Sequence, residues 1–490
     1  MNMRILLLLL FIPVLGFSQE TKPQTSLQTA VDALMNDPVL KNASFSFYAV
    51  DLNTGARLGE FNKKQSLITA STMKLVTSSA ALEILGASYR FKTRIQHDGY
   101  IDSLGVLHGN LFIKGGGDPA LGSKYFEKHY AGFKDKWVEA IQAAGIKKIK
   151  GRIIADATIY AHNVVPAGWS WSDIGNYYGA AANGLTVYDN LMKLQFSSGP
   201  NPGDSTVVEC TDPFVPELIF DNKVVAANSK KDNAYVYGAP YSPYRIIEGS
   251  IPKGQESFEV KASIPDPAYL LALELEHMLY QKGVRFGNPC STVRRLGLYE
   301  GYVNNTKNRT DIHTTKSPYL TNIIYWVNMV SVNLFAEHLL KSIAIVKYGN
   351  GTTFSGALAV TKHFQKKGID LTGFYMNDGS GLTRSNAVSA KHFVDILKYM
   401  SGSTNGEKLK KSLPVAGVSG TLRSIGRKTA AQGKVIGKSG TMTRVKSYAG
   451  YATSTSGKKI AYAMIINNYN CTSYQVKLKF EKLMVAMAKM

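Results

Sequence analysis

The chain has 490 residues, more than one ordinary hydrophobic core can organise, so about two to four domains are expected. A composition that is 44% hydrophobic and 19% charged excludes a disordered chain, a collagen and a coiled-coil rod. A formal net charge of +22 favours anionic partners (nucleic acid, acidic lipid or an acidic wall polymer) without choosing among them.

The first residues carry the pattern of an export signal. Arg4 supplies a positive start, Ile5 to Phe17 are apolar around Pro13, and Gly16 and Ser18 are small residues placed for a cut before Gln19. A signal peptide over 1–18 is expected. An uncleaved anchor is the other reading, but thirteen apolar residues fall short of the about 20 that a span needs. No cysteine follows the cut to take a lipid, and no later apolar run is long enough to span. Export argues against nucleic acid as a partner and leaves the wall and an anionic membrane surface. Three cysteines, Cys210, Cys290 and Cys471, are too few for a disulfide scaffold and lack zinc-ligand spacing. At most one disulfide is possible, and a Cys210–Cys290 pairing is left open.

Ser26 to Met35 reads as a short amphipathic helix. Ser44 to Val50 and Ala56 to Phe61 read as strands around the Asn53-Thr54-Gly55 turn, and Ser71 to Leu85 as a helix ended by Gly86. From Phe91 to Pro265 the character changes to short strands and turns, among them Gly109 to Lys114, Gly151 to Ala155, Leu191 to Ser197 and Ala234 to Tyr237, with a helix at Lys136 to Ala144. Helical periodicity resumes at Tyr269 to Lys282, Leu320 to Met329, Leu334 to Lys347 and Gly356 to Lys367. Gly433 to Lys438, Ser447 to Thr453 and Lys459 to Asn467 read as strands. A last helix, capped by Ser473, places Val476, Phe480, Leu483, Met484 and Met487 on one face. The expected division is therefore a discontinuous domain, 19–90 with 266–490, interrupted by accessory domains over 91–265, two of them nested.

Three short strings carry chemistry. Ser71-Thr72-Met73-Lys74 opens a helix and sets a hydroxyl and an amine on one face. Serine becomes a nucleophile when a neighbour takes its proton, and lysine can do so only when burial or another cation lowers its pKa. Ser331-Val332-Asn333 lies between two helical runs and offers a hydroxyl and an amide. Lys438-Ser439-Gly440-Thr441 ends a strand, with a cation and hydroxyl for a carboxylate and a glycine for close approach. The Thr441 amide, paired with that of Ser71, suits an oxyanion hole. Taken singly, each string also fits a bland role: a solvated helix start, a helix N-cap, a basic strand end. Gly115 to Pro119 lacks the Gly-Lys-Ser/Thr ending of a phosphate loop and reads as a turn. No cofactor or metal is expected, since none of the nine histidines sits in a motif such as His-Glu-x-x-His.

In this order the strings form the signature of penicillin-recognising serine acyltransferases. The sequence resembles the class C low-molecular-mass penicillin-binding proteins, D-alanyl-D-alanine carboxypeptidase/endopeptidases, from about Ser26 to the C-terminus. Asn110 to Pro119 (NLFIKGGGDP), Asn377 to Asn386 (NDGSGLTRSN) and Leu413 to Leu422 (LPVAGVSGTL) carry the resemblance further, and Ser439 stands where threonine is commoner. The 260 residues between Ser71 and Ser331 match the nested accessory domains of that family.

The resemblance implies an α+β fold: a penicillin-recognising, β-lactamase-like domain with an antiparallel sheet flanked by helices, plus a large, mainly β insertion. It implies a periplasmic serine D,D-peptidase acting on peptidoglycan stem peptides and inhibited by β-lactam antibiotics. Ser71 is the expected nucleophile, Lys74 the base, Ser331 the proton relay and Asn333 the orienting amide. Lys438 and Ser439 are expected to hold the substrate carboxylate or to polarise the relay, with Gly440 beside the substrate and the Thr441 amide in the oxyanion hole. Arg384 is expected to contact the stem peptide, and Asp173 with Tyr178 to receive the amine of a diaminopimelate-type side chain. A β-lactamase or esterase on the same fold and a non-catalytic wall-binding scaffold are the alternatives.

Overall fold

The computed structural model describes residues 26–490, and the signal sequence expected over 1–18 lies outside them. Strands from both ends of the chain build one sheet. Val435–Met442, Val445–Thr453, Lys459–Asn467, Ser44–Asp51 and Arg57–Phe61 lie side by side in that order, each pair antiparallel.

Both faces of this sheet are covered. On one face Phe45, Phe47, Tyr462 and Met464 pack against Leu27 and Val31 of helix Ser26–Met35 and against Val476, Phe480 and Leu483 of helix Ser473–Lys489. On the other, Val50, Ala461, Ala463 and Ile465 share a core with Leu75, Phe393 and Ile396. Burial on two faces removes the need for strict alternation, and Ser44–Val50 alternates only in part for that reason. Each fully buried Leu, Val or Phe contributes about 1.5–3 kcal/mol. The cap of the final helix is Thr472, one residue earlier than expected. Its Oγ accepts from the Gln475 amide at 3.2 Å, and the Gln475 side chain accepts from the Thr472 amide at 2.8 Å, a reciprocal box that Ser473 has no glutamine to complete.

Helices Met73–Ile84, Leu320–Met329, Asn333–Tyr348 and Thr353–Lys366 fall where periodicity places them, and Ala390–Ser401 and Gly406–Ser412 add to them. The inserted region builds its own sheets. Ser291–Thr292, Ile153–Asp156, Leu111–Lys114, Lys92–His97 and Thr310–Lys316 form one of five strands. Within it, two three-stranded sheets over residues 191–263 enclose a separate core of Met192, Leu194, Phe196, Val236, Ile247 and Val260. Elements on the two sides of Pro265 pack together. Thr310–Lys316 pairs antiparallel with Lys92–His97, and helix Pro267–Gln281 packs on strand Ile153–Asp156. Helical periodicity reports a buried face but not which domain buries it.

All three cysteines are unpaired; Cys210 is exposed and Cys290 buried. Among the described residues no helix is long and apolar enough to cross a membrane.

Candidate active site

Ser71 sits in the 3-10 turn Ala70–Thr72, which runs directly into helix Met73–Ile84. Ala70 has φ 47°, a left-handed conformation that non-glycine residues adopt at a cost of roughly 1–2 kcal/mol. One turn on, Lys74 is wholly buried. Its Nζ lies 2.9 Å from Ser71 Oγ, 2.5 Å from Asn333 Oδ1 and 2.7 Å from the Ser380 carbonyl oxygen. Burial lowers its pKa to about 7, against the opposing pull of Asp378 and Glu337. A neutral amine has two N–H bonds and one lone pair. Asn333 Oδ1 and the Ser380 carbonyl can only accept, so they take the two N–H bonds and the lone pair is left facing the Ser71 hydroxyl. That is the geometry of a general base.

Asn333 cannot turn its amide round. Its Nδ2 donates to the Tyr178 carbonyl at 2.8 Å, which holds Oδ1 toward Lys74. Both ends of this side chain are thus committed to aiming the lysine. Ser331 precedes helix Asn333–Tyr348 with φ 67°, again left-handed. The N-cap position falls on Val332, which makes no side-chain cap, so neither polar residue of the string serves as one. Ser331 Oγ accepts from Lys438 Nζ at 3.0 Å. Lys438 is fully buried, and burial together with the nearby Lys74 charge holds its pKa well below the usual lysine range.

Lys438 to Thr441 lie on strand Val435–Met442, the edge of the core sheet. A Cβ at Gly440 would fall 2.5 Å from the Thr69 carbonyl oxygen, 2.4 Å from Ser447 Oγ and 3.0 Å from the Ser71 amide nitrogen. Only glycine lets this strand close against the serine turn. Ser439 Oγ donates to Thr421 Oγ1 at 2.7 Å, a contact from the Leu413 to Leu422 segment.

These elements open onto a cleft of about 480 Å³ lined by Ser71, Ser331, Asn333, Thr441, Arg384, Asp173 and Tyr178. Lys74, Lys438, Ser439 and Gly440 do not line it; Lys74 and Lys438 are buried and reach Ser71 and Ser331 from within. Asp173 is half-buried and accepts from the Tyr178 hydroxyl at 3.3 Å. Burial raises its pKa, while Tyr178 and the Arg384 charge pull the other way. Tyr235 also lines the cleft, from the inner accessory unit. It stands alone in a short strand with no motif around it, and the sequence holds no signal that marks it.

Other supporting residues lie in the Asn377 to Asn386 segment. Asp378 is buried and accepts from the Gly381 and Thr383 amides, each at 2.8 Å, from Asn386 Nδ2 at 2.6 Å and from Trp169 Nε1 at 2.9 Å. It locks the turn that supplies the Ser380 carbonyl and the loop that presents Arg384. Glu337, one turn after Asn333, is buried as well; burial and the neighbouring Asp378 charge push its pKa up, while hydrogen bonds from Ser380 and Gly379 pull it down. An acidic residue followed by Gly379-Ser380-Gly381 was the available signal for Asp378; Glu337 lay inside an apolar helix with nothing to separate it from a surface charge. Among the described residues no group of three or more His, Cys, Asp or Glu is placed to hold a metal ion.

A model of the D-Ala-D-Ala carboxypeptidase 3 (S13) family matches residues 27–490. The chain is 29% identical over 459 residues to the D-alanyl-D-alanine carboxypeptidase of Actinomadura sp. (strain R39), covering 91% of this chain and 82% of that one. It is 25% identical over 461 residues to the D-alanyl-D-alanine carboxypeptidase DacB of Haemophilus influenzae, covering 93% of this chain and 92% of that one. Its fold is similar to the crystal structure of penicillin binding protein 4 (dacB) from Haemophilus influenzae, with a TM-score of 0.77 at 23% identity, over 93% of this chain and 97% of that chain.

Proposed function

Since the chain belongs to the D-Ala-D-Ala carboxypeptidase 3 (S13) family of serine-type peptidases, we propose that it hydrolyses D-alanyl-D-alanine and D-alanyl-diaminopimelate-type bonds of peptidoglycan through an acyl-enzyme on Ser71. The periplasm is its proposed site of action, and β-lactam antibiotics are its proposed inhibitors; a relative with the same fold has been crystallised with a β-lactam. The observation that carries this reading is the buried Lys74 amine, 2.9 Å from Ser71 Oγ with its other two partners able only to accept.

In the acylation step Ser71 Oγ bonds to the D-alanyl carbonyl carbon and its proton passes to neutral Lys74. The amides of Ser71 and Thr441 hold the developing oxyanion. The C–N bond then breaks, and the proton that Lys74 took passes by way of Ser331, which Lys438 supports at 3.0 Å, to the leaving amine, so that Lys74 is neutral again. Water cleaves the ester, and the proton it yields returns to the Lys74–Ser71 pair. Lys438, with its amine on Ser331, polarises the relay, and Ser439 holds the terminal carboxylate. Arg384 contacts the stem peptide, and Asp173 with Tyr178 receives a free side-chain amine. No step draws on a cofactor. The basic surface adds contact with an anionic wall or membrane.

Incubating the mature protein and Ser71→Ala with a fluorescent penicillin, followed by intact mass measurement, tests the reading. Stable labelling of the wild type alone is expected, together with release of D-alanine from muropeptides. Unlabelled protein with intact drug would favour a wall-binding scaffold, and unlabelled protein with consumed drug a β-lactamase.

A further inference from the structure

Lys74 depends on two acceptors to aim its lone pair, and both trace back to one helix face. Asn333 Oδ1 is the first. The second, the Ser380 carbonyl, belongs to a turn that Glu337 grips from the same helix, four residues on and therefore on the same side. Glu337 Oε1 accepts from the Ser380 amide at 2.7 Å and Oε2 from the Gly379 amide at 3.1 Å. From the other side Thr77 Oγ1 donates to the Gly379 carbonyl at 2.7 Å. The carboxylate is fully buried, where a charge persists only when its oxygens are well satisfied.

We propose that Glu337 is the positioning residue of the base: it holds the Ser380 carbonyl on Lys74 and supplies a negative charge behind the amine. This assignment rests on the acyl-enzyme reading and deepens it. A carboxylate is required because both oxygens meet an N–H. A glutamine would set its own N–H₂ against one of those backbone donors, and the turn would have to shift. The charged groups around this pocket are Asp378 from the turn, Lys438 from the edge strand and Lys341 from the next turn of the Glu337 helix. The two carboxylates favour the ammonium form of Lys74 and burial opposes it. Removing the Glu337 charge therefore lowers the Lys74 pKa and extends the active, neutral form to more acidic pH.

The experiment is the rate of acylation by a fluorescent penicillin against pH, for the full mature chain and its variants Glu337→Gln, Glu337→Asp and Thr77→Val, each checked for a cooperative melt. Glu337→Gln is expected to lower the plateau rate by roughly 10–100-fold, as misplacing a catalytic group by an ångström does, and to move the acid limb to lower pH. Thr77→Val loosens the same turn without touching charge, so its plateau falls and its acid limb stays. Glu337→Asp keeps the acid limb and recovers part of the rate. Should Glu337→Gln fail to fold, the Glu337→Asp and Thr77→Val pair decides: plateaus equal to wild type overturn the proposal. A folded Glu337→Gln with the wild-type plateau and acid limb overturns it as well. A wild type that takes no label overturns the acyl-enzyme reading itself, which separates the two failures.

Discussion

The side-chain amide of Asn333 donates to the backbone carbonyl of Tyr178 at 2.8 Å, so a residue far off in the chain decides which end of Asn333 meets the Lys74 amine. Tyr178 is thereby wired to that amine as well as into the cleft wall. Replacing Asn333 by Asp removes the donor to Tyr178 and puts a negative charge against Lys74. An opposite charge at that distance raises a lysine pKa by about 1–3 units. The acid limb of penicillin acylation should move up by that amount, leaving little activity at neutral pH; a limb at the wild-type position would refute the assignment.

Wild-type acylation should itself climb as pH rises through about 7, the value to which burial lowers Lys74. The sign follows from the active form: the neutral amine is the base, and its fraction grows above that pH. Lys74→Arg, which stays protonated, should lose acylation by about 10³-fold or more at every pH. Stopped-flow labelling across the range measures both.

Gly440→Ala adds a Cβ at 2.4–2.5 Å from Ser447 Oγ and the Thr69 carbonyl oxygen. Overpacking of this kind costs about 1–3 kcal/mol. A lower melting temperature and loss of labelling at Ser71 are expected together, because the strand that moves carries Lys438 and Thr441.

Arg384→Ala and Asp173→Asn remove groups that line the cleft away from the Ser71–Lys74 pair. Penicillin labelling should persist, while release of D-alanine from peptides bearing a free side-chain amine should fall by roughly 10–100-fold, the weight of one hydrogen bond to a charged group. Equal losses on both substrates would place these residues in support of the fold instead.

Trp169→Phe leaves Asp378 without the indole donor it holds at 2.9 Å. An unmade buried bond costs about 1–3 kcal/mol. Calorimetry should show that loss, and the turn that offers the Ser380 carbonyl should loosen, lowering the acylation plateau.

Much of this molecule is legible residue by residue. The helix Leu320–Met329 and the strand Lys459–Asn467 fall where periodicity puts them, because a buried face imposes its repeat on the nearest residues. Helix Ala390–Ser401 was not among the expected elements although Phe393, Ile396, Leu397 and Met400 share its buried face, because its cap pairs Ser389 with His392 rather than with the usual Glu or Gln. The pairing of Thr310–Lys316 with Lys92–His97 was not legible, since it joins segments far apart in the chain.

The sequence alone determined the three chemical strings, the family they resemble, the strands at both chain ends and the α+β architecture. The strings and strands rest on side-chain type and on spacings of a few residues, which a helix turn or strand converts directly into a shared face; the α+β architecture was implied by the family resemblance that the strings carry. Only the tertiary structure decided how the base is aimed. The Lys74 contact with the Ser380 carbonyl spans 306 positions and the Asn333 contact with the Tyr178 carbonyl 155. Both use backbone oxygens, which every residue carries and no sequence pattern marks.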